Sequence, residues 1–386
     1  MNNPIRPFKL ERFFARHEFT ARRLLCSSDC ESISVGELLA MEPGAGEGLS
    51  AFRLGYTETR GAPALREAIA SLHAPEGSGG PGPDGIFVHA GAAEGVLNLL
   101  ASILGPKDHV IVGEPAYQSL AELPRWLGAA VSPWRIRNDG KRWRFDSDDL
   151  HRLLAARTKL VILNVPHNPT GALPTHAEFD AIISLCRKGG AILLVDEVYR
   201  LLERDPARRL PPVCEAYENG VSLNVLSKSA GLAGLRIGWL ATRRRDILDA
   251  VADFKDYNSI CSSGPSEFLA GIALRNLERI VGRNRRICAE NLHAFEAFVH
   301  DHPGFATLVP PEGSSVCFPR LGGRAEADFG GDAEAMALAL LGSTGVLLLP
   351  GADCGSEPAH FRVGFGRADF REGLAELEAW VLARGY

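Results

Sequence analysis

An α/β architecture, with a mostly parallel sheet in a large domain and a smaller α+β domain after it, is what this 386-residue sequence predicts. Three observations carry the prediction. Apolar runs of strand length, each ended abruptly by polar residues, alternate with helical patterns through the middle of the chain. The length exceeds what one simple core accommodates. Near residue 264 the alternation gives way to a long helical run that leads into a segment of short strands and helices.

Taken in order, the first forty-five residues form a polar and aromatic leader, and "ISVGELLAME" reads as a short helix. "HAPEGSGGPGPDG" (73–85) is expected to be an exposed loop. "IFVHAGAAEGVLNLLASIL" reads as strand, small-residue turn and helix, and "DHVIVGEPAYQSL" repeats the scheme. "KLVILNVPHNPTG", "AILLVDEVYRLL" and "VSLNVLSKS" are further apolar strands, as expected of a sheet covered on both faces. From "GPSEFLAGIALRNLERIVGRNRRICAENLHAFEAFVHDH" the pattern is one long helix run. "SSVCFPRL", "GVLLLPG" and "FRVGFG" are the strands of the smaller part. The expected division is an N-terminal arm (1–45) on the small domain and the site, a large domain (46–280) and a small domain (281–386).

Composition narrows the function. A formal net charge of −5 without a dominant basic run argues against nucleic acid as the partner. "TRRRD" and "GRNRR" read as solvated helix faces. No apolar run reaches the length of a membrane span, and the N-terminus has no signal-peptide core. Eight scattered cysteines, with Cys26 and Cys30 the only near pair, suit a reducing cytoplasm and make no metal motif. "GAGEG" at 44–48 follows no apolar strand, so it is not a dinucleotide fingerprint.

Ligands of such sheets sit outside the carboxyl ends of the strands, and the polar residues gather there. "VLSKSAGLAGLRIGWL" places Lys228 after an apolar strand, then small residues that permit close backbone approach, then Arg236. Asn168 lies in "NPTG", Asp196 and Tyr199 in "DEVY", Tyr117 in "PAYQSL", and Arg362 in "FRVGFG". Pyridoxal 5′-phosphate (PLP) accounts for these residue types together. Its aldehyde needs an amine of lowered pKa, met by Lys228. Its pyridine nitrogen needs a buried carboxylate, met by Asp196. Its ring oxygen needs donors, met by Tyr199 and Asn168. Its phosphate needs a helix N-terminus and an arginine, met by Ala92 and Ala93 of "GAAEG" and by Arg236. Tyr117 can stack on the ring, and Arg362 has the fork for a substrate carboxylate, beside Asn168. Plainer roles stay open: a helix cap for Asp196, packing for Tyr199 and Tyr117, an ion pair for Arg362. His17, a lone histidine in the leader, reads as structural or exposed.

With "NPTG", "DEVY" and "SKSAGLAGLRIGW" in this order, the chain resembles the fold-type I PLP-dependent enzymes, specifically the class I/II aminotransferases, from about "LGYTETRGAPALREAIA" to "FRVGFG". The resemblance implies that Lys228 forms the cofactor's Schiff base and that Asp196 pairs with the ring nitrogen. It implies phosphate contacts from Ser227 and Arg236. It also implies a homodimer with shared sites, in which Tyr56 reaches the neighbouring subunit's phosphate.

Transamination between an L-amino acid and a 2-oxo acid is the leading expectation, with Lys228, Asp196 and Tyr199 as catalytic residues. The leader and the lysine motif also resemble those of capreomycidine synthase-type enzymes, though some of that group carry phenylalanine at the position of Tyr199 and an aromatic residue at that of Ala230. Cyclisation, elimination or oxidation of an arginine-like or otherwise modified amino acid is therefore the alternative. A DNA-binding regulator with an aminotransferase-like domain is disfavoured, because the leader holds no helix-turn-helix pattern.

Overall fold

The computed structural model describes residues 4–355 and 358–386. Seven strands build the central sheet: β1 Ile86–His89, β2 His109–Glu114, β3 Ala130–Arg135, β4 Thr158–Asn164, β5 Ile192–Asp196, β6 Gly220–Val225 and β7 Gly238–Thr242. Their spatial order is β1-β7-β6-β5-β4-β2-β3, with only β7 antiparallel to its neighbours. The register pairs Asn164 with Asp196 and Asp196 with Leu223, so three carboxyl ends lie nearly level.

The inner strands β4 and β5 are largely apolar because both faces are covered, whereas the edge strand β3 keeps half-buried and exposed positions. Val110, Val112, Ile162 and Leu194 pack into one layer, while Ile111, Val161, Leu193 and Val195 pack into the other. Successive side chains alternate faces, which is the period-2 rule of a strand. Full burial of such a side chain is worth roughly 1.5–3 kcal/mol, so the two layers together hold the strand ends rigidly.

The C-terminal part has its own sheet. β8 Val316–Cys317, β9 Leu349–Pro350 and β10 Phe361–Gly364 are antiparallel in the order β8-β10-β9. Phe295, Phe305, Met336, Phe361, Val363, Leu377 and Trp380 share one apolar cluster there. Val198, Tyr199, Leu202 and Val225 of the large-sheet part and Leu25 of the leader belong to the same cluster.

The leader folds in two pieces. The first runs from α1, Lys9–His17, through the parallel pair Arg23–Leu24 with Val346–Leu347, and packs Leu10 and Phe13 against Cys26, Leu347 and Leu349. The second is the helix Val35–Leu39, opened by a Ser34/Glu37 capping box, whose Leu38 joins Leu65, Ile69 and Trp239 of the large-sheet side. Helix α2, Ala92–Ile103, follows β1 directly.

Two expectations are corrected. The long helical run is interrupted: Gly264–Arg275 is followed by α3, Leu277–Asp301. At the break the Asn276 side chain donates to Ile272 O (2.9 Å) and to Glu42 Oε1 (3.0 Å), a local alternative to helix continuation. The 73–85 loop is not wholly exposed, since Gly80, Pro81, Gly82 and Gly85 are buried. A Cβ on Gly80 would lie 1.5 Å from Ala74 O, so packing explains that glycine. No helix among the described residues is long and apolar enough to cross a membrane.

Candidate active site

A cleft of about 360 Å³ opens at the carboxyl ends of β4, β5 and β6, roofed by α1 and closed on one side by β10. Ala92, Ala93, Tyr117, Asn168, Asp196, Tyr199, Ser227, Lys228, Arg236 and Arg362 all line it. Tyr56 does not: it is 88 % exposed and lies outside the cleft. His17 packs its ring 4.8 Å from Phe13 and is not part of the lining.

Strand ends fix the floor. Asp196 ends β5, and its carboxylate accepts the Val198 N–H at 3.2 Å. Burial pushes this carboxyl up to about 7, against the lowering effects of that N–H and of Lys228. Asn164 ends β4; its Nδ2 donates to Asp196 O at 2.8 Å, and its Oδ1 accepts the Asn168 N–H at 2.6 Å. One asparagine thus ties the "NPTG" turn to the strand that carries Asp196. Asn168 Oδ1 in turn accepts from Arg362 Nη1 at 3.3 Å.

Lys228 follows β6 and points its amine into the cleft, where Nζ donates to Ser28 Oγ at 2.8 Å. Its pKa is lowered, chiefly by burial and further by the Arg362 charge; Asp29, Asp196 and Glu11 oppose the shift. Lys255, which is fully buried, is held differently: its Nζ donates to both oxygens of Glu94 at 3.0 Å, beside Ser259. That carboxylate also accepts the Ala90 N–H, anchoring the turn before α2. Lys255 is therefore a structural ion and Lys228 the lysine of the cleft.

Arg362 is 1 % exposed, donates Nη2 to Cys26 O at 2.8 Å and lies 6.0 Å from the centroid of the Phe14 ring. No carboxylate among the described residues forms an ion pair with it, which removes the structural ion pair as its explanation. Tyr117 donates its hydroxyl to Glu11 Oε1 at 2.7 Å and packs against Phe8, ring centroids 4.8 Å apart.

The donor set fits PLP. The first N–H groups of α2 have no intrahelical acceptors and open toward the cleft at Ala92 and Ala93. Gly91, with φ 86°, precedes them, and a Cβ there would lie 2.5 Å from Arg236 Nη2. The positive φ favours glycine at 91, where a side chain would crowd the guanidinium beside the helix N-terminus, and Arg236 itself has a left-handed backbone (φ 51°). Among the described residues, Ser227 Oγ and Arg362 Nε are buried without a hydrogen-bond partner. Two orphaned polar atoms at one cleft mark a polar ligand, since leaving them unpaired costs about 1–3 kcal/mol each.

Comparison with known proteins agrees. Residues 40–375 match the family model for aminotransferase class I and II. The chain belongs to the class I and II aminotransferase family, whose members are PLP-dependent enzymes. Similar proteins include a capreomycidine synthase of Streptomyces vinaceus, 29 % identical over 388 aligned positions that cover 97 % of this chain and 94 % of that one. A PLP-dependent aminotransferase from Streptococcus suis superposes with TM-score 0.90 at 30 % identity, over 99 % of both chains. The PLP-dependent cyclase OrfR superposes with TM-score 0.89 at 28 % identity, over 100 % of this chain and 99 % of that one.

Glu11, Phe14, Ser28, Asp29 and Asn164 also line the cleft and were not among the sequence candidates. Asn164 carried a usable signal, a polar residue ending an apolar strand, as Asp196 does. The other four come from the leader, whose residues carry no periodicity that points them at the sheet.

Proposed function

We propose that this family member is an aminotransferase, exchanging an amino group between an L-amino acid and a 2-oxo acid, with Lys228 as both the cofactor's covalent anchor and the base at Cα. Bound PLP supplies the electron sink. Asp196 keeps the ring nitrogen protonated by presenting a carboxylate to it, and Tyr199 and Asn168 hold the ring oxygen. Ser227, Arg236 and the N–H groups at Ala92 and Ala93 bind the phosphate, and Tyr117 flanks the ring. The observation that supports this reading most is a buried Arg362 guanidinium with no carboxylate partner, in the same cleft as Lys228 and Asp196. It suits the α-carboxylate of an amino acid. Arg362→Lys keeps the charge but loses the fork, so KM for the amino acid is expected to rise roughly 10- to 100-fold with a smaller change in kcat, in steady-state kinetics.

A second reading is cyclisation, elimination or oxidation of an arginine-like or otherwise modified amino acid. Two observations favour it: the near full-length similarity to a capreomycidine synthase and to OrfR, and Glu11 on the roof, a carboxylate that pairs with no cation among the described residues. A titration of the reconstituted protein with L-amino acids, L-arginine included, separates the readings. Loss of the yellow absorbance to a pyridoxamine form, reversed by a 2-oxo acid, establishes transamination. Oxygen uptake, a product without amino transfer, or silence toward every standard amino acid favours the second reading.

The proposed assembly is a homodimer with Tyr56 contributing to the neighbouring site. Leu54 (85 % exposed), Tyr56 and Tyr257 (94 %) form large exposed apolar surface, and Thr57 Oγ1 donates to Ser262 O at 3.1 Å, bringing the two segments together. Tyr56→Phe is expected to weaken cofactor affinity about 10-fold, the loss of one hydrogen bond to a charged phosphate, while sedimentation still reports a dimer. The free state of all eight cysteines is consistent with a cytoplasmic location.

A further inference from the structure

Among the described residues the amine of Lys228 has one hydrogen-bond partner, and it comes from 200 residues away in sequence: Ser28 Oγ, at 2.8 Å. The segment that carries Ser28 is fastened on every side. Gly364 N–H donates to Leu25 O at 2.8 Å, Arg362 Nη2 donates to Cys26 O at 2.8 Å, and Ser315 Oγ donates to Ser28 O at 2.9 Å. Arg367 grips the Asp29 carboxylate with contacts of 2.9–3.1 Å. Cys30 N–H donates to the backbone oxygen of Lys228 itself at 3.3 Å, and Glu31 N–H to Gly366 O at 2.8 Å. A Cβ on Gly364 would lie 1.7 Å from Ser27 O, so the strand and the segment touch backbone to backbone.

We propose that Ser28 is a positioning residue for Lys228: its hydroxyl accepts an N–H of the amine and turns the nitrogen lone pair toward the substrate, so that the leader segment must be seated before Cα chemistry can occur. The inference rests on Lys228 being the base of the proposed function. In the step concerned, the Cα–H bond breaks, its proton forms a new N–H bond on Lys228, and the electron pair stays on the cofactor-bound substrate. A neutral amine donating one N–H to Ser28 keeps its lone pair free for that proton. The ammonium it becomes keeps the same acceptor, so Ser28 also stabilises the protonated form. Burial and the neighbouring Arg362 charge work the other way, which makes an acceptor at this nitrogen valuable.

The test uses Ser28→Ala, with Ser28→Thr as the conservative rescue. Cofactor-free protein is mixed with PLP, and the association rate, followed by its visible absorbance, is measured against pH to read the apparent pKa of Lys228. Loss of the acceptor is expected to lower that pKa by about one unit, the worth of a hydrogen bond to a charged group, with Thr restoring it. On the amino donor found by the titration above, kcat is expected to fall about 10- to 100-fold with KM nearly unchanged. The deuterium isotope effect at Cα should rise. Association that begins at lower pH while turnover slows is a split that a merely structural role would not produce.

An unchanged pKa and isotope effect in Ser28→Ala would overturn the proposal, as would a Thr variant as impaired as the Ala variant. Should Ser28→Ala fail to fold, Ser28→Cys, of similar size but a poorer acceptor, reads the same pKa and decides the matter. Lys228→Ala run in parallel keeps the two claims apart. If that variant still traps the cofactor covalently, the proposed function fails; if it does not and Ser28→Ala behaves as wild type, only the role of Ser28 fails.

Discussion

Lys228→Ala is expected to lower turnover by about 10⁴-fold or more, because it removes both the covalent anchor and the proton-transferring base. The yellow absorbance of the bound cofactor is expected to vanish with it. The fold should survive. Among the described residues the Lys228 side chain makes one hydrogen bond, to Ser28, and burial already disfavours its charged form. Removing a buried ionisable group that is retained for chemistry costs little stability and often adds some. The melting temperature of the cofactor-free variant is therefore expected to equal or exceed that of the cofactor-free wild type. Thermal denaturation and visible spectroscopy on the same sample check both halves, and a yellow, active variant would show that another lysine carries the cofactor.

Asp196→Asn is expected to cost about 10²- to 10³-fold in kcat, the scale for removing one preorganised electrostatic partner of a developing charge. Its structural effect has a distinct pH signature. In the cofactor-free protein burial raises the Asp196 carboxyl to about 7, above its value of about 3.9 in the unfolded chain. The folded state therefore holds a proton that the unfolded state releases, and this group's contribution to stability falls as pH climbs from about 4 to 7 and is constant above that. Asparagine has no such slope. Relative to Asp196→Asn, wild-type cofactor-free protein should lose a few °C of melting temperature between pH 5 and pH 7.5. Loading with PLP should erase most of the difference, because a protonated ring nitrogen favours the carboxylate. Parallel slopes for the two proteins would mean that Asp196 is not buried as described.

Much of the cleft was legible in the sequence because its chemistry sits where local patterns end. Asp196 and Lys228 follow β-branched or leucine-rich runs, and a polar residue that ends such a run must either reach solvent or face a ligand. Arg236 was legible for a related reason: small residues between Lys228 and a second charged residue signal close backbone approach, and at Gly231 a Cβ would lie 2.4 Å from Glu31 O. The roof was not legible. Glu11, Phe14, Ser28 and Asp29 reach the site because residues 23–31 are pinned to the C-terminal strands, through the pairing of Arg23 with Val346 and the contact of Ser27 with Gly364. Contacts across more than 300 residues leave no local period. The interruption at Asn276 was missed for the opposite reason, since an apolar rhythm on both sides hid a side chain that competes for the backbone.

The place of Tyr117 illustrates how partner residues alter a reading. As a sequence candidate it was a flat ring for stacking. In the cleft its hydroxyl is engaged by Glu11 and its ring by Phe8, so the leader holds it from the roof side. The leader thus touches the Lys228 amine, Arg362 and Tyr117 at once, through Ser28, Cys26 and Glu11.

The most direct test of the central claim is reductive trapping. The protein is reconstituted with PLP, reduced with borohydride, digested and mapped for the phosphopyridoxyl group. The account predicts the label on the peptide that contains Lys228, lost in Lys228→Ala. A label on Lys255 or any other lysine, or no label after reconstitution, would contradict it.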